Sequence, residues 1–147
     1  MKTEPVAGAL GALITGVNLA SLSDAEFAAI RQAWLEYEVL FFHNHSWAPA
    51  EHAAFADRFG PPQLHGAYPH VDGFDQLTIL ENNRENPPTI EKWHTDMTFR
   101  ASPPLGSILH SVVVPERGGD TMFASMSAAW EGLSDHWQRF LDGLEAV

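Results

Sequence analysis

The strongest periodic signal in the chain runs from residue 23 to residue 37. Phe27, Ile30, Trp34 and Tyr37 recur at spacings of three, four and three, which puts them on one face of an amphipathic helix. Ser23-Asp24-Ala25-Glu26 has the S-x-x-E form of a capping box, in which the serine and glutamate satisfy backbone donors exposed at a helix start. The pattern then changes to Val39-Leu40-Phe41-Phe42, an unbroken apolar run that predicts a short buried strand. Pro49 suits the first turn of a second helix, with Phe55 and Phe59 facing inward and Gly60 ending it, after which Pro61-Pro62 forces an extended exit.

The rest of the chain reads as strands, turns and loops. Val6 to Ala20 is fairly apolar but broken by Gly8, Gly11, Gly16 and Asn18, and Glu4 spoils a basic leader, so a strand with glycine turns is expected here rather than an export signal. Residues 63–75 show no period and carry His65, Tyr68 and His70 among turn formers, where each can be an ordinary loop residue or a functional one. Residues 76–81 are strand-like, and 82–92 form a polar, proline-bearing loop of a length typical of active-site lids. Residues 106–114 predict a β-branched strand ended by Pro115, Arg117-Gly118-Gly119-Asp120 a turn, and 121–124 a further strand. Two short helices are expected to close the chain, over 128–133 and from Ser134, the latter with Trp137, Phe140 and Leu141 as its apolar face. With no internal repeat or linker, residues 1–147 read as one unit of domain size.

Composition narrows the range of partners. A hydrophobic content of 45%, with 9 Phe, 5 Trp and 2 Tyr, is enough to fill a core. The formal net charge of -11, with no cluster of Lys or Arg, argues against nucleic acid and against anionic membranes. The absence of cysteine rules out a disulfide framework and a thiolate metal site, and suits a reducing cytoplasm.

Candidate chemistry centres on Lys92-Trp93-His94-Thr95-Asp96-Met97-Thr98-Phe99. If this run is a strand, His94 and Asp96 point to the same face and an imidazole converges with a carboxylate. These would be two ligands of a 2-His-1-carboxylate facial triad for non-heme Fe(II), which leaves positions open for a co-substrate and dioxygen. The competing reading is a surface pair or an Asx-type turn beside a histidine. His43 and His45 imitate the spacing but sit among turn formers, and His110, inside the predicted 106–114 strand, reads as a partly buried hydrogen-bonded histidine.

The run from Trp93 to Phe99, the Gly118-Gly119-Asp120-Thr121 turn and the Tyr68-Pro69-His70 loop occur together and in order. In this combination the chain resembles the taurine dioxygenase (TauD/TfdA) family of Fe(II)- and 2-oxoglutarate-dependent dioxygenases along nearly its whole length. The resemblance implies an α+β fold built on a double-stranded β-helix, jelly-roll-like and of the clavaminate synthase-like kind, with flanking helices and incomplete in these residues, which correspond to the N-terminal part of a single such domain. It implies that His94 and Asp96 bind iron, that Thr121 holds a carboxylate of 2-oxoglutarate, and that His65, Tyr68 and Phe99 contact the substrate. Met97, beside Asp96, is expected to face the same side. Taurine-type members carry asparagine where this chain has Ile90, which favours a more apolar sulfonate, a sulfate ester or a carboxylate over taurine itself.

The distal histidine and the arginines that pair with the 2-oxoglutarate carboxylate and the substrate anion have no counterpart in these residues. The expected reaction consumes dioxygen and 2-oxoglutarate, hydroxylates a small anionic substrate, and releases succinate and carbon dioxide. The alternative is a catalytically incomplete, weakly metal-binding or oligomerising domain. A third reading has His65, His70 or His110 replacing the distal ligand.

Overall fold

A computed structural model describes residues 1–66, 68–88 and 92–145. The chain divides into two compact units, the first built from Met1–Ser46 with the segment from Ser111 onward, the second from Trp47–His110.

In the first unit, strand β1 (Lys2–Pro5) pairs antiparallel with β2 (Ala12–Thr15), and β2 pairs parallel with β3 (Leu40–Phe42), giving the sheet order β1-β2-β3. A parallel partner needs a crossover, which a 3-10 turn (Leu19–Ser21) and helix α1 (Asp24–Tyr37) supply. The predicted capping box forms. Glu26 N–H donates to Ser23 Oγ at 3.3 Å, and Ser23 N–H and Oγ–H donate to Glu26 Oε2 at 2.9 and 2.7 Å. Those bonds hold the Glu26 carboxyl below its ordinary pKa, the Ser23 hydroxyl contributing most.

Alternation on β2 buries Ala12 and Ile14, and α1 packs on β2 and β3 with Ile30 and Ala33 buried. The chain between β1 and β2 turns at Gly11, whose φ is +93°. A Cβ there would meet Val6 Cγ2 at 2.9 Å, so this position needs glycine for both its conformation and its space. The apolar run at 39–42 forms its strand but is half-buried rather than buried, because β3 is an edge of the sheet.

The C-terminal segment contributes helices α3 (Met126–Glu131) and α4 (Asp135–Leu141), close to the predicted pair. Ser125 caps α3, accepting from Ala128 N–H at 2.9 Å, and its hydroxyl donates to Glu38 Oε1 at 3.0 Å. The apolar face expected on the last helix exists but is exposed, with Trp137 at 53% and Phe140 at 59%.

In the second unit, α2 (Pro49–Asp57) starts at the predicted proline, and Glu51 closes half a capping box by accepting from Ala48 N–H at 2.8 Å. Ala53 and Phe55 are buried, Phe59 is half-buried, and Gly60 follows with φ +136°. α2 packs on a hairpin of β4 (His70–Val71) and β5 (Phe74–Thr78), whose Leu77 is buried. The strand expected over 76–81 therefore begins two residues earlier, and His70 lies in a strand rather than a loop. Asp72-Gly73, with Gly73 at φ +80°, makes the tight connection.

The strands predicted over 106–114 and 121–124 do not form, and the run at 93–99, for which the sequence leaves both a strand and a turn open, is not a strand. Residues 93–99, 106–114 and 121–124 lie in no ladder among the described residues. Their apolar side chains are correspondingly exposed, with Val112 at 84% and Val113 at 89%. β-Branched composition favours an extended surface only where a neighbouring strand is there to receive it. Among the described residues no helix is long and apolar enough to cross a membrane.

Candidate metal centre

His94 and Asp96 are brought together by a turn, not by strand alternation. Thr95 Oγ1 and Thr98 Oγ1 share a hydrogen bond at 2.8 Å, Met97 adopts φ +52°, and Arg100 N–H donates to the Met97 carbonyl at 3.1 Å. The left-handed backbone at Met97 interrupts any extended run through this turn, so strand alternation does not apply to its side chain. Met97 is half-buried while its neighbours are exposed.

Within this turn His94 Nδ1 lies 2.8 Å from the Lys92 carbonyl oxygen, and Nε2 lies 3.3 Å from Asp96 Oδ1. A carbonyl can only accept, so the Nδ1 contact places a proton there and, in neutral imidazole, leaves Nε2 with its lone pair facing the carboxylate. Two donors about 2.1 Å from one metal and at right angles stand about 3.0 Å apart. The observed separation is close to that value, so the donor set and its spacing suit two adjacent positions in a metal's coordination shell. The other Asp96 oxygen accepts from Ser107 Oγ at 3.4 Å, a long contact that orients the carboxylate and leaves Oδ1 free for a metal. Both side chains are accessible, at 52% for His94 and 62% for Asp96.

Among the described residues no group of three or more His, Cys, Asp or Glu could hold a metal ion, so none of His65, His70 and His110 completes the pair. Each has other surroundings. His65 stacks against Tyr68, ring centroids 4.8 Å apart and tilted by 40°. His70 Nδ1 is buried without a hydrogen-bond partner among the described residues. His110 packs against Trp47 at 5.9 Å and His52 at 6.0 Å. Burial is the main reason the His52 imidazole titrates below its ordinary range, the nearby His110 adds to the shift, and a bond to the Ile108 backbone opposes it.

The remaining predicted site residues are Phe99, 80% exposed on the turn after Met97, and Thr121, exposed in the first unit directly after the Gly118-Gly119-Asp120 turn. Gly118 and Gly119 have φ +75° and +72°, as that turn requires, and a Cβ on Gly119 would meet Pro115 Cγ at 3.1 Å. Ile90 lies outside the described residues. Sequence reasoning missed Ser107, because a lone serine among apolar residues carries no signal of a carboxylate eleven positions away. It also missed the link from Gln63 to Arg100, whose only advance sign was an isolated cation close to a candidate ligand.

The sequence profile of the taurine catabolism dioxygenase TauD, TfdA family matches residues 2–147. An alkylsulfatase from Acinetobacter baylyi is 36% identical over 149 aligned positions, covering 100% of this chain and 46% of that protein. An alpha-ketoglutarate-dependent sulfate ester dioxygenase from Pseudomonas putida is 37% identical, covering 100% of this chain and 49% of that protein. Among solved structures, the crystal structure of a taurine dioxygenase from Burkholderia xenovorans superposes with a TM-score of 0.84 at 35% identity, covering 97% of this chain and 51% of that one. The chain spans about half the length of the curated relatives it matches. With the profile matching all but the first residue, this chain belongs to the TauD/TfdA family.

Proposed function

We infer that the chain supplies the N-terminal part of an Fe(II)- and 2-oxoglutarate-dependent dioxygenase that hydroxylates a small anionic organic substrate, an alkyl sulfate ester or alkylsulfonate. The observation that carries this reading is the pairing of His94 Nε2 with Asp96 Oδ1 at 3.3 Å, with the histidine tautomer set by the Lys92 carbonyl. The two curated relatives support the sulfate ester by their names, and Ile90 in place of asparagine turns the reading away from taurine. In this reading the complete domain is a double-stranded β-helix, in which the segments at 106–114 and 121–124, in no ladder among the described residues, would gain partner strands.

In this reading His94 and Asp96 give Fe(II) two of its three protein ligands. The bound metal, with 2-oxoglutarate and dioxygen, supplies the oxidising power to convert a C–H bond to C–OH while 2-oxoglutarate becomes succinate and carbon dioxide. The chain's own residues hold and orient. Lys92, through its carbonyl, keeps the Nδ1 proton away from the metal side of His94, and Ser107 steadies the outer oxygen of Asp96. Thr121 offers a hydroxyl donor to a carboxylate of 2-oxoglutarate. His65 and Tyr68 offer polar edges to the substrate anion from a stacked pair that limits their motion, and Met97 and Phe99 give its carbon chain an apolar surface that displaces water. Hydroxylation next to the anionic group yields a product that collapses to an aldehyde and inorganic sulfate or sulfite.

The test is succinate formation by the purified protein with Fe(II), ascorbate and 2-oxoglutarate, with hexyl sulfate or taurine as substrate. Substrate-dependent succinate with hexyl sulfate preferred is the expected result. If neither this chain nor a version extended with the coding sequence downstream of Val147 forms succinate, the dioxygenase reading fails. The incomplete metal-binding or oligomerising domain then takes its place.

A further inference from the structure

The chain passes from α1 into β3 through a γ-turn centred on Glu38. Val39 N–H donates to the Tyr37 carbonyl at 2.7 Å, and Glu38 takes φ +63° and ψ -36°. This hand of γ-turn is rare and strained for a residue with a side chain, and glycine adopts such backbone at less cost. A glutamate stands there nevertheless, and its carboxylate has a partner 87 positions away. Ser125 Oγ–H donates to Glu38 Oε1 at 3.0 Å, while the same Oγ accepts from Ala128 N–H at 2.9 Å as the cap of α3. Ser125 is buried, at 8% exposure, so its hydroxyl needs that acceptor.

What this contact holds is the segment that carries Thr121. Residues 121–124 lie in no ladder, so backbone pairing does not fix them against the sheet. Two side-chain contacts, both within the first unit, take its place. Phe123 meets Phe41 of β3 edge-on, with ring centroids 6.1 Å apart and planes at 69°, and Ser125 bonds Glu38. An edge-on ring contact tolerates sliding, whereas a hydrogen bond to a carboxylate fixes both distance and direction. The register of the segment is therefore set by Glu38, and Thr121 lies only four residues before the point it holds.

We propose that Glu38 is a positioning residue for the co-substrate: through Ser125 it fixes the register of residues 121–125 and so aims the Thr121 hydroxyl at a carboxylate of 2-oxoglutarate. This rests on the dioxygenase reading, and the experiment keeps the two apart. Three variants are compared with the wild type. E38Q keeps an oxygen that accepts from Ser125, E38A removes it and keeps the strained backbone, and E38G removes it and relieves the backbone. In urea E38G should be more stable than E38A. Hydrogen–deuterium exchange is followed in metal-free protein without ligands, and succinate formation is followed over ranges of 2-oxoglutarate and of hexyl sulfate.

Exchange across residues 119–129 should be faster in E38A and E38G and unchanged in E38Q. KM for 2-oxoglutarate should rise about three- to tenfold in E38A and E38G alike, the upper figure matching one hydrogen bond to a charged group. KM for hexyl sulfate and kcat at saturation should not change, and E38Q should stay close to the wild type. An equal rise in two variants of different stability traces the effect to the lost acceptor. A wild-type KM for 2-oxoglutarate in E38A, a rise that follows stability instead, or an equal rise for both substrates overturns the role of Glu38 and leaves the dioxygenase reading intact. Absence of succinate from the wild type, both as this chain and as the version extended past Val147, overturns both.

Discussion

His52 makes a prediction about pH that can be worked through from its surroundings. Its ring sits 5.0 Å from Trp47 and 6.0 Å from His110, on the helix that packs against the hairpin. Burial, and then the His110 charge, lower its pKa from the ordinary 6.5. The unfolded chain therefore takes up this proton at higher pH than the folded one does. The stability tied to a neutral His52 is fully present above the unfolded pKa and is lost as pH falls from there through the folded pKa. One proton sets a ceiling of about 1.4 kcal/mol per pH unit on the slope, and because the side chain is half-exposed the true slope lies below that ceiling. At a urea m-value of about 1.5 kcal/mol/M, the midpoint should move by less than about 1 M per pH unit.

The assay is urea unfolding between pH 8 and pH 5.5 for the wild type and His52→Phe. Phenylalanine keeps the ring contacts but neither titrates nor donates to the Ile108 backbone, so the variant should be weaker by about 1 kcal/mol at pH 8 and should fall less steeply below pH 6.5. The chain has 8 histidines, and only the difference between the two curves isolates this one. Parallel curves would refute the reasoning. The consequence reaches the metal pair, because the backbone at Ile108 adjoins Ser107, which bonds Asp96.

The remaining predictions bear on the metal pair and on the first unit. Asp96→Asn should weaken Fe(II) binding in an anaerobic titration by more than about 100-fold, since changes one shell further out already cost about 10- to 100-fold. Ser107→Ala should cost less than about tenfold in the same titration, because its bond to Asp96 is long at 3.4 Å and exposed. Ile30→Ala, at a site only 1% exposed between α1 and the sheet, should lower unfolding free energy by about 2–5 kcal/mol in urea. Ser23→Ala should cost about 1 kcal/mol as a lost cap. In the wild type the contribution of this box should disappear as pH falls through the lowered Glu26 pKa, and a Glu26→Gln variant should lack that acid dependence.

How much of this was legible in the sequence depends on whether the responsible interaction is local. The capping box, the α1 face and the proline start of α2 rest on contacts within a few residues, and all three form as read. Asp72-Gly73 was equally local, yet the hairpin it joins was missed because β4 is only two residues long and has no period to detect. The strands expected at 106–114 and 121–124 rest on β-branched and apolar composition, and that property is realised only by a partner strand, which no local signal supplies.

The metal pair shows how a correct juxtaposition can follow from a wrong backbone. A spacing of i, i+2 brings two side chains together on a strand, and it also does so across a tight turn closed by Thr95 and Thr98, so the nearness of His94 and Asp96 did not depend on which conformation the run adopts. The direction of Met97 does depend on it, because a left-handed residue is not subject to strand alternation. The two contacts that refine the pair, Lys92 on Nδ1 and Ser107 on Oδ2, were invisible for different reasons: the first is a backbone atom that any residue type would provide, and the second reaches across eleven positions. Metal binding should therefore tolerate replacement of Lys92 by Ala far better than replacement of Ser107 by a bulky residue such as Leu, which would displace the Asp96 carboxylate. Fe(II) affinities that fall equally in these two variants would mean that the Lys92 side chain, not its carbonyl, governs His94.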